Sequence, residues 1–281
     1  MAIAVALILV SSGWAKDEVV AVLGSDAMPY REALAGFEQE YGGPVPTVFL
    51  SQGEPHLPPE VRIVAAFGAK AVVHEYGRRE WLVCSMSPGT VREGPRIVRV
   101  GLEPSPAELI SRLIRMQPGL KRLGVVWTSD PYEGYLESLS EAAESLGVSI
   151  EGRRARSPSD IPLLLRDLHR KVDALWLPPD PLLLSQGSMV TFRDFSLSNQ
   201  VPLYVPTEGL VKDGVFASAG VGFREVGRST GRVVRDLLAG SPPKGDLYPK
   251  VVTVAVSKTA AESFKQRISG TALQQADKVL P

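Results

Sequence analysis

The sequence predicts an α/β fold built on parallel sheets, and two observations carry that expectation. First, three short apolar runs each end in polar and turn residues: Val125-Val126-Trp127 into Thr128-Ser129-Asp130-Pro131, Ala174-Leu175-Trp176-Leu177 into Pro178-Pro179-Asp180-Pro181, and Leu203-Tyr204-Val205 into Pro206-Thr207-Glu208-Gly209. Each is too short for a helix and rich in β-branched or aromatic residues, so each reads as a strand buried on both faces. Second, helical patterns separate the runs, and strand–helix alternation gives a parallel sheet. All strand C-termini then share one edge, where open α/β sheets hold their ligands.

Taken in order, residues 18–23 form the first strand, with Gly24-Ser25-Asp26 as turn and cap. Tyr30, Ala33, Leu34, Phe37 and Tyr41 recur at helical spacing, and Gly42-Gly43-Pro44 ends that helix. Residues 47–50 read as the second strand. The Pro-rich segment 51–60 has no helical pattern. Strands follow at 61–67, 81–84 and 96–100, with a short helix over 68–76. Ser105-Pro106-Ala107-Glu108 has the form of a capping box opening a helix to about residue 116. A strand at 122–127 precedes an amphipathic helix marked by Tyr135, Leu136, Leu139, Ala142, Ala143 and Leu146 and stopped by Gly147. Ser159 is the expected cap of the next helix. Strands at 173–177, 202–205 and 214–218 lead to a helix over 224–238, where Gly227 and Gly231 mark close packing or a weak spot. The last strand is 251–256. With no low-complexity linker, two halves joined by strands are expected.

Length and composition bound the function. A chain of 281 residues has room for about two domains of roughly 150 residues. Hydrophobic residues at 44% and charged residues at 22% suit a globular protein with a real core. Lys+Arg 31 against Asp+Glu 31 gives a net charge of +0, which argues against a nucleic-acid surface or a polybasic membrane patch. Residues 1–10 are almost wholly apolar, and Gly13 and Ala15 fit the small-residue positions of a signal-peptidase site, so residues 1–15 are expected to be a signal peptide; a buried first strand is the alternative. Cys84 is the only cysteine, which excludes an intrachain disulfide and a Cys-x-x-Cys zinc site. No lipid-attachment cysteine follows the apolar run, so a periplasmic location without an anchor is expected.

Catalytic signatures are absent. There is no Walker phosphate loop. Gly220-Val221-Gly222 lacks the third glycine of a dinucleotide fingerprint, and the segment 216–220 lacks the leading glycine of a nucleophile elbow. His56, His74 and His169 have no second ligand at metal spacing. No cofactor, metal or catalytic residue is therefore expected, and the chain reads as a non-enzyme. What remains is a set of short polar residues at strand ends: Ser25 and Asp26, Gly68, Ser85 and Ser87, Thr128, Ser129 and Tyr132, Asp180, and Thr207 with Glu208. Hydroxyls and backbone N–H groups at helix N-termini suit a carboxylate; Asp180 or Glu208 suits an ammonium group; Trp127, Tyr132 and Met86 suit an apolar part. Taken singly, each polar residue is as well explained as a helix cap; their concentration on one edge points to a ligand site.

The chain resembles the periplasmic substrate-binding components of ABC transporters, in the group that includes tryptophan- and tyrosine-binding proteins. The resemblance is carried by Pro118-Gly119-Leu120-Lys121-Arg122-Leu123-Gly124-Val125-Val126, by Val172-Asp173-Ala174-Leu175-Trp176-Leu177-Pro178-Pro179-Asp180-Pro181, by Val201-Pro202-Leu203-Tyr204, and by the segment 214–221; Ile63-Val64-Ala65-Ala66-Phe67-Gly68 is similar to the family's third strand and glycine turn. The resemblance implies two Rossmann-like lobes of the type I periplasmic-binding-protein kind with a multi-strand hinge, lobe 1 spanning 16–102 plus 220–248 and lobe 2 spanning 103–219 plus 249–281. It implies a monomer that grips a small molecule, an amino acid or other small organic acid, and docks on an ABC permease in the inner membrane, with no nucleic-acid partner. A ligand sensor signalling to a membrane receptor is the alternative, and a hydrolase the weakest reading. The family has a full helix between its second and third strands where this chain has only 51–60, so the first lobe is expected to be lopsided.

Overall fold

The computed structural model describes residues 18–90, 92–130, 132–211, 214–265 and 267–281. The expected signal segment 1–15 lies outside the described residues, as does Pro131 of the first polar cluster.

The elements run, in chain order, β1 (Val19–Leu23), α1 (Met28–Tyr41), β2 (Thr47–Phe49), β3 (Ile63–Phe67), α2 (Ala69–Val73), β4 (Trp81–Ser85), β5 (Ile97–Val100), α3 (Pro106–Met116), β6 (Arg122–Trp127), α4 (Tyr132–Ser145), β7 (Ser149–Arg154), α5 (Ile161–Leu168), β8 (Ala174–Trp176), α6 (Gln186–Asn199), β9 (Leu203–Val205), β10 (Ala217–Gly220), α7 (Phe223–Leu238), β11 (Thr253–Ser257), α8 (Lys258–Ser263), α9 (Ala272–Gln275) and β12 (Lys278–Leu280). They build two sheets, ordered β2-β1-β3-β4-β5 and β12-β11-β10-β9-β8-β6-β7. Every pairing in the first is parallel. In the second only β10 and β11 run antiparallel, because the chain leaves for the first lobe after β10 and returns from it before β11.

Three segments cross between the lobes. One follows β5 into α3, where Gly101 N donates to Leu247 O and Ser105 N to Pro249 O, each at 2.8 Å. The second leads from β10 to α7, which packs against α1 and against β3–β5 of the first sheet. The third returns past Leu247, bridged to Val100, into β11.

Local rules explain most boundaries. Helix α1 has Pro in its first turn and Gly42 at φ +101°, whose N–H donates to Glu38 O, a left-handed stop. Two expected caps are corrected. Ser105 precedes α3, but its hydroxyl makes no capping bond; the crossing segment holds it by its backbone instead. Before α5 the turn starts two residues earlier than expected. The Asp160 carboxylate accepts from Arg156 N and Ser157 N at 2.9 and 3.1 Å, while the Ser159 hydroxyl meets that of Ser157 at 2.7 Å.

Gly227 marks close packing. A Cβ there would overlap the Ala33 carbonyl oxygen, and one on Gly36 would overlap that of Arg224, so α1 and α7 meet backbone to backbone. The second sheet is covered on both faces, one side by α3, α4, α8 and α9 and the other by α5 and α6. The first sheet has α1 and α7 on one face. On the other lie only α2 and the irregular chain around Val61, Leu57 and Tyr76, the lopsidedness expected from the missing helix.

Candidate functional site

Parallel order gathers the tips of β1, β3 and β4 on one edge of the first sheet and those of β6, β8 and β9 on one edge of the second. On the second lobe Asp180, 1% exposed, is the central acceptor. Its Oδ2 accepts from Thr128 N at 2.8 Å and from Thr128 Oγ1 at 2.6 Å, and its Oδ1 from Leu182 N at 3.0 Å. This locks the loop after β8 to the loop after β6. Tyr132 opens α4 behind that loop, fully buried, with a hydroxyl that finds no protein partner among the described residues. Burial, then the carboxylates of Glu103 and Asp180, push its pKa far up, against a smaller opposing effect of Arg99.

On the first lobe, Gly68 at φ +96° lets the chain turn tightly under the Tyr30 ring, a conformation that would strain any side chain. Its N–H donates to Ser85 O at 2.8 Å, tying the tips of β3 and β4 together. The Ser85 hydroxyl is buried without a protein partner among the described residues. Met86, next in the chain, is held at φ +55°, left-handed backbone that a methionine adopts at a cost and that clusters at binding sites. Its side chain packs with Val83, Val98, Val100 and Val221. The turn from Ser87 to Thr90 then brings Gly89 against Ser129 of the opposite lobe. A Cβ on Gly89 would stand 3.3 Å from Ser129 Oγ. That oxygen is also buried and finds no partner among the described residues. Buried polar atoms are nearly always bonded, so the hydroxyls of Ser85, Ser129 and Tyr132, each without a protein partner among the described residues, are candidates to bond a guest.

Other expected residues sit elsewhere along the edge. Ser25 Oγ accepts from Ala27 N at 3.4 Å, and Asp26 pairs with Arg31 at 2.6 Å on the surface. Glu208 is exposed and pairs with Lys278. Thr207 and Glu208 line a cavity of about 260 Å³ at the second crossing, together with Glu32 of α1, Ser218, Gly220 and Phe223. Trp127 turns away from the cleft. Its ring lies over Gly152 and lines a separate cavity with Leu136 and Ile150.

Sequence reasoning missed the hinge charges. Arg99 Nη2 donates to Glu103 Oε2 at 3.1 Å, and its Nη1 lies 3.3 Å from Asp246. Burial works against the charge on Arg99, but Glu103, Asp246 and Tyr248 outweigh it and raise its pKa. The one available signal was Glu103 itself, a lone charge in the segment Leu102-Glu103-Pro104 linking a strand to a helix. Tyr135 completes the hinge, donating to Pro104 O at 2.9 Å and stacking edge-on against Tyr248. Among the described residues no cluster of His, Cys, Asp and Glu has the arrangement of a metal site, and no helix is long and apolar enough to cross a membrane. The arrangement can grip a polar guest.

The model of the family described as ABC transporter substrate binding protein matches residues 104–280. A tyrosine-binding protein of Clostridioides difficile (strain R20291) is 24% identical over 127 residues, 44% of this chain and 36% of that protein, so the match spans about a third of the relative's length. Among solved structures, an ABC domain from Streptococcus pneumonia in complex with L-Trp aligns with a TM-score of 0.61 at 17% identity, over 93% of this chain and 99% of that one. The ligand-free, open form of a substrate binding protein with adhesive properties from Clostridium difficile aligns at 0.61 and 15% identity, over 93% and 98%. Likeness at these identities speaks for the two-lobe fold.

Proposed function

The chain belongs to the ABC transporter substrate-binding family, and from that premise we propose that it captures a small molecule of the amino-acid or small organic-acid class between its lobes and delivers it to an ABC permease. The observation that supports this reading is the presence of buried hydroxyls without protein partners among the described residues on both lobes, Ser85 on one and Ser129 and Tyr132 on the other, with Gly89 of the first lobe close to Ser129 of the second. With residues 16–102 plus 220–248 moving as one lobe and 103–219 plus 249–281 as the other, a guest bonded to both sides holds the closed state. The relatives that bind tyrosine and L-Trp support a ligand of amino-acid size. Export to the periplasm by way of residues 1–15, and action as a monomer, complete the proposal.

Thermal unfolding with a panel of small molecules tests it. A ligand at a hundredfold excess over its Kd stabilises the fold by about 2.7 kcal/mol, a rise in Tm of roughly 5–10 °C for a chain near this size. Tyr132→Phe and Ser85→Ala are expected to reduce that rise while leaving the ligand-free Tm nearly unchanged. A broad library without a single responder would defeat the reading.

A further inference from the structure

We infer that the turn from Ser87 to Thr90 in the first lobe is a latch, which seats bare Gly89 on Ser129 of the second lobe and holds the two lobes closed. The inference rests on the binding reading above and deepens it, since a latched cleft releases its guest slowly. The three crossings tie the lobes together whether they are open or closed. A closed state also needs contacts made through space, and the approach of Gly89 to Ser129 is one.

Both sides of the contact are stiff. On the first lobe, Pro88 and Gly89 take the two central places of the turn. Gly89 stands at φ +70°, and Thr90 N donates to Ser87 O at 3.1 Å, the arrangement of a type II turn. Proline fixes its own φ, and glycine takes the left-handed place without strain. The turn leaves the end of β4 through Met86, whose side chain is anchored in the core of the lobe. On the second lobe, the N–H and the hydroxyl of Thr128 both donate to Asp180, at 2.8 and 2.6 Å. Ser129 follows at once, and its carbonyl accepts from Tyr132 N at 3.1 Å where α4 begins. Two stiff loops that meet define one closed position rather than a range of them, as a two-state closure requires.

The contact itself needs a bare backbone. A Cβ on Gly89 would stand 3.3 Å from Ser129 Oγ and 3.9 Å from Ser129 Cβ. A methyl group there is already tight, and a larger side chain props the lobes apart. Ser129 Oγ is buried at this point, so the meeting place is dry. Gly89 is nevertheless exposed and outside both cores, which puts the latch at the rim and lets it be altered without touching the fold. The turn type accounts for a glycine at position 89; it does not account for that position facing Ser129, and a latch does.

Crosslinking tests the latch without a ligand. The 3.9 Å between those β-carbons lies inside the roughly 3.5–4.5 Å that a disulfide spans. Gly89→Cys with Ser129→Cys, treated with oxidised glutathione, should therefore close a bond within the monomer. It should form at least about tenfold faster than in Gly89→Cys with Ser149→Cys, whose second site starts β7 at the far edge of the same sheet. Cys84 does not compete, being buried with its thiol pushed up to about 12. No faster crosslink, in a protein that unfolds like wild type, overturns the inference. A wedge is the second arm and stays decisive if the cysteine pair folds poorly. Gly89→Ala and Gly89→Trp carry the same backbone strain and differ in bulk, so small-angle X-ray scattering should find the Trp variant the more expanded; equal dimensions overturn the latch. With a ligand in hand, Gly89→Trp should release it at least about tenfold faster than Gly89→Ala. Equal release rates overturn the latch and leave the binding function intact. A screen that finds no ligand defeats the binding function alone, and the crosslink and the scattering then decide the latch.

Discussion

The two sheets solve the same covering problem differently. The second has helices on both faces. The first has α1 and α7 on one face and, on the other, the five-residue α2 with irregular chain. A helix satisfies its own backbone; an irregular segment over a sheet must find partners for its carbonyls. Here arginines supply them. Arg79 donates to the carbonyls of Leu57, Pro58, Val61 and Tyr76 at 3.0–3.3 Å. Arg92 donates to those of Val72 and His74 at 3.0 and 2.6 Å. A guanidinium carries five N–H donors in a fixed fork, enough to gather several strands of loose chain at once. The seal is less complete, and a cavity of about 140 Å³ remains beside Val64, Tyr76, Trp81, Leu82 and Ile97. The contrast teaches that the strand tips facing the cleft are what both lobes must preserve, while a face away from the α1–α7 pair tolerates thinning.

The sharpest way to break the first lobe is at its one well-covered face. Gly227→Leu forces a side chain into the Ala33 carbonyl where α1 and α7 touch. The expected cost is about 3 kcal/mol or more, since neither backbone can yield without moving a helix. Because α7 packs on the first lobe and sits between the second and third crossings, the variant should lose ligand-induced stabilisation along with Tm; near-wild-type unfolding in urea would contradict the backbone contact. The arginine-stitched face is next. Arg79→Leu should cost about 2 kcal/mol. Its signature is local: hydrogen exchange should speed up over residues 54–61 and 74–80, with α4 and α5 of the second lobe unaffected. Uniform acceleration across both lobes would mean that Arg79 serves the global fold and that the thin face is not a separate weak unit.

How far the sequence carries this contrast depends on what kind of signal each element leaves. β1, β3 and β4 are continuous apolar runs, and α3, α4 and α7 repeat apolar residues at helical spacing, so all are legible. Helix α6 is not. Its buried positions are Ser188, Phe192 and Ser196, a stripe with one apolar member. Ser196 is satisfied only in three dimensions, by donating to Val201 O at 2.6 Å. β7 is an edge strand of mostly polar residues, half-buried along its length, and leaves no alternation to read. The thin face of the first lobe follows from the Pro-rich 51–60, yet nothing local says that Arg79, about twenty residues on, holds it down. At the cleft, Asp180 and Thr128 are legible as strand-tip residues, but their mutual bonds span 52 positions. Asp26 and Glu208 look equally free in sequence and are tied to Arg31 and Lys278 in space. Glu103 stands out as a lone charge, but its pairing with Arg99 was invisible because an ion pair at a crossing depends on how the lobes are joined.

Smaller substitutions sharpen the comparison from the second lobe. Gly134 lies in α4 with open space where a Cβ would go, so Gly134→Ala should raise stability by about 0.5–1 kcal/mol. The same glycine-to-side-chain change that wrecks α7 should help α4, and a loss at Gly134 would show that the free space is needed for movement of the Tyr132 turn.

The smallest effect concerns the far edge of the second sheet, away from the cleft. Asp173 precedes β8 and ties it to the start of β6. Its Oδ2 accepts from Lys121 N at 3.1 Å and Arg122 N at 2.9 Å, and its Oδ1 from the Arg122 guanidinium at 2.9 Å. Burial favours the protonated form, but the Arg122 side chain and the two backbone donors outweigh it, so the pKa falls below the ordinary 3.8. A carboxylate depressed by folding stabilises the protein above its unfolded pKa and loses that contribution as pH drops through the folded value. Wild type and Asp173→Asn should therefore differ in Tm above about pH 4 and converge toward about pH 2, where both side chains are neutral. Ligand affinity at neutral pH should not change, because the tie sits at the strand N-termini. Parallel Tm curves across that range would remove Asp173 as an anchor of β8, and an altered affinity would mean that this edge communicates with the tips where Asp180 sits.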